Sequence, residues 1–195
     1  ALLKCVKIDK IGLQNHLFTG ATSHTPEEYE KSVRSGVEMN NPTLYFKGLD
    51  VIAELGLPLE ITEVTVPTFG DTAEDEELQA DMLKLWYSVW FSHPAVDTVV
   101  YWNTVDGYAY TGDSNWVENN CRGGLLHHDL TPKKSAIMLK KLFGEIWHTD
   151  LELTTDKNGY VVFRGFFGEY TAKAEGKEFE IAIHKNESSS FELSL

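Results

Sequence analysis

Glu63 lies inside the stretch LEITEVTVPT, Leu59 to Thr68, where branched apolar residues alternate with small polar ones up to Pro67. A carboxylate among such neighbours is costly to bury unless it is paired, hydrogen-bonded or set at a strand end facing a cleft. The simplest reading is a solvated strand face, since glutamate is rarely buried. Two other apolar segments change the weighing. One carries Gln14 and His16 at its end, and the other runs out at Trp102 and Asn103. In parallel α/β folds, function gathers where the strands end and the loops into the helices converge. A carboxylate, an imidazole, an amide and an indole would then face one mouth, able to grip a polar ligand and to present a negative charge to it.

Other chemistry-bearing motifs are weaker. His127, His128 and Asp129 are consecutive, and adjacent side chains seldom converge on one metal ion. HExxH, the P-loop and the glycine-rich dinucleotide fingerprint are missing from the sequence, so no metal and no cofactor is expected. GDSNW lacks the G-x-S-x-G pattern of a serine nucleophile elbow. A net charge of −13 without Lys or Arg clusters argues against nucleic acid. The apolar runs stop well short of the roughly 18 residues of a membrane span. Cys5 and Cys121 form neither a disulfide framework nor a metal site. Sugars are neutral and are commonly held by aromatic faces, and the chain has five Trp, eight Tyr and ten Phe.

The elements that must position these residues follow from periodicity. Residues 1–149 repeat an order of apolar strand, loop and amphipathic helix. The first strand covers roughly Ile8 to Leu17. A short helix is signalled by Thr25, Pro26 and Glu28, and a second by Asn41 and Pro42, with Leu49, Ile52, Ala53 and Leu55 before a terminating Gly56. After the Glu63 strand, Leu78, Met82, Leu85, Trp86, Val89 and Trp90 make an apolar stripe at helical spacing, ended by Pro94. The third strand, VDTVVYWN, leads into a polar loop over 106–124. A last helix is expected from Thr131 and Pro132, burying Ala136, Leu139, Leu142, Phe143 and Ile146. Strand and helix in alternation mean a parallel sheet covered by helices, which an open doubly wound sheet and an eight-stranded barrel satisfy equally. Residues 150–195 change character. GYVVFRGF, GEYTAKA, FEIAIH and FELSL, separated by DKNG and EGKE, predict a small antiparallel, β-sandwich-like module. Its Tyr160, Phe166, Phe167 and Tyr170 suit a packed β core or a carbohydrate contact.

Four segments, IDKIGLQNHL, LPLEITEVTV, VVYWNTVDGYAY and LLHHDLTPKKSA, together resemble the last three strand-and-helix units of family 10 glycoside hydrolases, the (β/α)8-barrel endo-1,4-β-xylanases. The resemblance implies the C-terminal portion of a TIM barrel followed by the β module. It implies that Glu63 is the nucleophile of a retaining glycosidase, that His16 hydrogen-bonds it, that Gln14 contacts the sugar, and that Trp102 floors the subsite of the cleaved residue. Tyr110 stands where the family has a second tryptophan, and is expected to offer a smaller stacking face. Asn103 replaces a glycine. Thr65 replaces an aspartate that holds the histidine, so His16 is expected to lose its usual anchor.

Retaining hydrolysis needs two carboxyl groups about 5 to 5.5 Å apart, and the family's general acid lies on a strand upstream of this sequence. The chain, which opens on Ala1, is therefore expected to be the C-terminal part of a split or truncated barrel. A companion chain or segment would supply the first five strands and the acid. Xylan or xylo-oligosaccharide is the implied substrate, and an extracellular location follows from that resemblance. Two alternatives stay open: a non-catalytic polysaccharide-binding derivative of a hydrolase, and a β-glucanase of a related barrel family.

Overall fold

The computed structural model describes residues 7–17, 41–68, 70–109, 118–184 and 189–194. The helix signalled at Thr25 to Glu28 lies outside them, as do Cys5 and Tyr110. The chain divides into two compact units, Ala1–Leu139 and Lys140–Leu195.

In the first unit three strands, β1 (Ile11–His16), β2 (Leu59–Thr65) and β3 (Val96–Tyr101), form one parallel sheet in the order β1-β2-β3. Central β2 is its core, with Leu59, Ile61 and Val64 fully buried and Val66 buried just beyond. Helix α1 (Pro42–Ala53) follows the expected signals: the Asn41 side chain accepts from Thr43 N and Leu44 N, Pro42 opens the helix, and Gly56 at φ +74° closes it. Within the expected apolar set only Leu49 is fully buried, while Leu55 is exposed.

Helix α2 (Ala73–Ser92) starts at a capping box in which Thr72 and Asp75 exchange side-chain and backbone bonds. Its buried residues are Gln79, Ala80, Leu83, Trp86, Tyr87 and Trp90, whereas Leu78 and Leu85 of the expected stripe are exposed. The buried face is thus rotated by about one position. The cause is Gln79, whose Nε2 donates to Val66 O at 2.7 Å and Gly124 O at 3.2 Å, which lets an amide occupy a core place. Trp86 and Trp90 stack at 6.0 Å, as core residues.

Helix α3 (Lys134–Lys141) begins later than Thr131 because Thr131 is engaged in a turn, with its N and Oγ1 bonded to Asp129 Oδ1 at 3.0 and 2.6 Å. The helical run continues as a π turn over Leu142–Ile146, in which Leu142 is buried but Phe143 and Ile146 are exposed, contrary to the expected stripe. In the second unit, β4 (Gly168–Ala174) and β5 (Lys177–Ile183) form an antiparallel hairpin. Its two-residue turn, Glu175 and Gly176, has both φ angles positive, as a type I′ turn requires. Among the described residues GYVVFRGF and the FELS segment join no strand ladder, so the sheet has two strands where the sequence suggested four. DKNG does turn, held by Asp156 Oδ1 accepting from Asn158 N and Tyr160 N, but Val162 beyond it is 92% exposed, and no strand among the described residues covers it.

Candidate functional site

The site is assembled by strand pairing. Gln14 on β1 is in register with Glu63 on β2, and His16 with Thr65, so a two-residue step along each strand presents the four side chains together. A register shift between Leu13 and Gln14 sets this alignment. Glu63 is held at both oxygens: Gln14 Nε2 donates to Oε1 at 2.8 Å, and His16 Nε2 lies 2.9 Å from Oε2. The imidazole and carboxylate keep 19% and 25% of their side-chain exposure, so both can still be reached. Trp102, anchored by its backbone N–H on Val64 O at 2.8 Å, meets the His16 ring edge-on at 6.3 Å and is 41% exposed. Three strand ends therefore bring Gln14, His16, Glu63 and Trp102 to one place. Tyr110 lies outside the described residues.

His16 does not lack an anchor. Its Nδ1 lies 3.0 Å from Thr65 Oγ1, and Thr65 is 1% exposed. The hydroxyl of Thr65 therefore holds the imidazole on the side away from Glu63. Thr65 is itself boxed in by the loop after β3, where a Cβ added to Gly123 would meet Thr65 Cγ2 at 2.5 Å. That loop is pinned from below. Tyr101 Oη donates to Gly123 O at 2.6 Å, and burial raises the phenol's pKa. Lys133 Nζ donates to Arg122 O at 2.8 Å and to Asp106 Oδ2 at 3.1 Å, while Asp106 Oδ1 accepts from Gly124 N at 2.7 Å. Burial lowers the Lys133 ammonium's pKa against the opposing pull of Asp106.

Glu118 was not legible in the sequence. Its Oε2 accepts from Trp102 Nε1 at 3.4 Å, which steadies the indole from a position sixteen residues away. Among the described residues Glu118 Oε1 and Asn103 Nδ2 are buried without hydrogen-bond partners, and both residues line one cavity of about 10 Å³, room for about one water. Asn103 has φ +57°, a left-handed conformation that asparagine tolerates and most residues resist. Thr65, by contrast, had a signal: it lies two residues from Glu63 on a strand, hence on the same face.

His127, His128 and Asp129 diverge. His127 Nε2 is 3.2 Å from Glu76 Oε1, the His128 ring stacks on Tyr108 at 5.0 Å, and Asp129 holds the Thr131 turn. Among the described residues no group of three His, Cys, Asp or Glu side chains is placed to hold a metal ion. Cys121 is buried and free, and burial pushes its thiol up to about 11. No helix among the described residues is long and apolar enough to cross a membrane.

No family model matches the chain. It is 27% identical over 175 residues to the anti-sigma-I factor RsgI6 of Acetivibrio thermocellus, an alignment covering 88% of this chain and 19% of that protein. In structure it is similar to a β-glucuronidase of Faecalibacterium prausnitzii, with a TM-score of 0.51 at 18% identity over 71% of this chain and 22% of that one. It is also similar to xylanase 10B of Thermotoga maritima, with a TM-score of 0.47 at 22% identity over 74% of this chain and 39% of that one. The chain thus spans about a fifth of the length of the curated relative and of the glucuronidase. The likeness to the glucuronidase is one of fold: the three parallel strands and their helices form a partial α/β unit, consistent with a portion of a barrel.

Proposed function

We propose that this chain supplies the nucleophile half of a retaining endo-1,4-β-xylanase. The observation that carries the reading is the clamp on Glu63, with an amide on one oxygen and an imidazole on the other at 2.8 and 2.9 Å. Such bonds orient a carboxylate, which can attack an anomeric carbon or stabilise an oxocarbenium-like transition state. Glu63 would form a glycosyl ester as the leaving-group oxygen takes a proton from a general acid. Water would then cleave the ester, with that acid acting as base. Gln14 would contact the sugar beside Glu63, and Trp102 would stack beneath it, with Tyr110 as a second platform. The acid and the first five strands would come from a companion chain or segment, pairing where β1 and β3 form the edges of the sheet. Xylan being extracellular, the reading carries an extracellular location with it.

A second reading is favoured by one observation in the sequence and one in the comparisons. Position 65 carries Thr where the family 10 hydrolases it resembles have an aspartate, and the chain aligns with a protein named as an anti-sigma-I factor. On that reading the hollow binds polysaccharide without turning it over, in the service of a regulator. The test is incubation of the complete protein with an activated 2-deoxy-2-fluoro-xylobioside, followed by peptide mass spectrometry. A glycosyl adduct on Glu63, absent in Glu63→Ala, supports the hydrolase. Xylo-oligosaccharide binding with no adduct and no release of reducing ends supports the binding protein. Faster hydrolysis of β-glucan than of xylan would move the assignment to a related β-glucanase.

A further inference from the structure

We infer that Thr65 is a positioning residue that keeps His16 in its neutral form with the proton on Nε2, by donating its own hydroxyl hydrogen to Nδ1. The inference follows from counting donors and acceptors along one chain of contacts, Glu63 Oε2 to His16 Nε2 at 2.9 Å and His16 Nδ1 to Thr65 Oγ1 at 3.0 Å. An ionised carboxylate only accepts, so Nε2 must carry a hydrogen for that contact to be favourable. Two arrangements then remain. If Nδ1 also carries a hydrogen, the ring is an imidazolium and Thr65 Oγ1 is an acceptor, and its own O–H needs another acceptor. Thr65 is 1% exposed, and among the described residues His16 Nδ1 is the hydrogen-bond partner of its hydroxyl. That arrangement buries an unsatisfied donor. If Nδ1 is bare, the Thr65 hydroxyl donates to it, and the three groups are satisfied in sequence.

The difference from a carboxylate at position 65 is physical. An aspartate would only accept, and would draw a second proton onto the ring, placing an imidazolium between two carboxylates. Threonine supplies a donor without charge. Among the described contacts of the His16 ring, Glu63 on β2 is titratable, whereas Gln14 on β1 and Trp102 after β3 carry no charge; Glu118 contacts the indole of Trp102. On this assignment the carboxylate of Glu63 is held by two neutral donors, the Gln14 amide and the His16 Nε2–H. The consequence for catalysis rests on the proposed role of Glu63, whereas the tautomer does not.

The test is long-range proton–nitrogen NMR of the imidazole in the full ¹⁵N-labelled chain, with resonances assigned by their loss in His16→Gln. The expected result at pH 7 is a singly protonated ring carrying its hydrogen on Nε2. Thr65→Ser retains it, and Thr65→Asp moves the ring's second protonation upward by about one pH unit or more. A doubly protonated ring in the parent at pH 7, or a hydrogen on Nδ1 alone, overturns the inference. So does a titration that Thr65→Asp leaves unmoved. None of these readings depends on hydrolysis or on sugar, so a failed adduct experiment and a failed tautomer experiment are separate outcomes.

Discussion

Replacing Lys133 by methionine keeps the aliphatic stem and removes the Nζ that donates to Asp106 Oδ2 at 3.1 Å and Arg122 O at 2.8 Å. The side chain of Lys133 is 2% exposed and that of Asp106 is 15% exposed, so the variant leaves a largely desolvated carboxylate without its cation. Removing one partner of a buried ion pair costs about 3–5 kcal/mol. Two features reduce this: Asp106 Oδ1 keeps the Gly124 N–H at 2.7 Å, and Arg122 O keeps a long contact with Thr68 Oγ1 at 3.4 Å. We expect a loss of about 2–4 kcal/mol. With a urea dependence of about 2 kcal/mol per molar, the unfolding midpoint should fall by about 1–2 M. Equilibrium urea denaturation followed by tryptophan fluorescence measures it, since Trp86 and Trp90 are buried in this unit. Adding Asp106→Asn should return part of the loss, because the orphaned charge is gone, with a coupling of about 1–3 kcal/mol. A Lys133→Met penalty below about 1 kcal/mol, or no coupling to Asp106, would refute the idea that this pair pins the loop under Thr65.

Two further outcomes are expected. Burial pushes the Tyr87 phenol up to about 12 from an ordinary value of 10.0, so the unfolded chain ionises first. The stabilisation it represents is complete below pH 10 and is lost as pH rises toward 12, amounting to about 3 kcal/mol for the two-unit difference. Urea midpoints between pH 9 and 11.5 should fall less steeply in Tyr87→Phe, and an unchanged slope would remove the cause. Gly123→Ala places a Cβ 2.5 Å from Thr65 Cγ2, against a residue that is 1% exposed. Overpacking of this kind costs about 1–3 kcal/mol. The same variant should disturb the His16 ring resonances, and wild-type spectra with wild-type stability would show that the loop does not press on Thr65.

Several parts of this molecule could be read from residues in order along the chain. Asn41, Pro42 and Gly56 announced α1 because caps are local chemistry, satisfied within a few residues of themselves. The alternation in LEITEVT announced β2, and strand ends in a parallel sheet face one way, which is why Gln14, His16 and Glu63 could be grouped before their contacts were known. The stripe on α2 was less legible. Leu78 belonged to the expected apolar stripe yet is exposed, while Gln79 is buried with its amide on the distant carbonyls of Val66 and Gly124. The strands expected at GYVVFRGF and FELSL had the right alternation, but alternation states which faces differ and not whether a partner strand is present.

What the sequence determined by itself was thus the set of local choices: parallel βα units, their caps, and a carboxylate with an imidazole at matching strand ends. Tertiary structure alone decided the long-range pairings. Lys133 meets Asp106 across 27 residues, Trp102 meets Glu118 across 16, and His16 meets Thr65 across 49. Periodicity carries no information over such separations, because it records which side of an element is buried and not what lies opposite. The state of His16 is of this second kind. It depends on whether the group at 3.0 Å from Nδ1 can give a proton as well as take one, and that was settled by folding Thr65 against it.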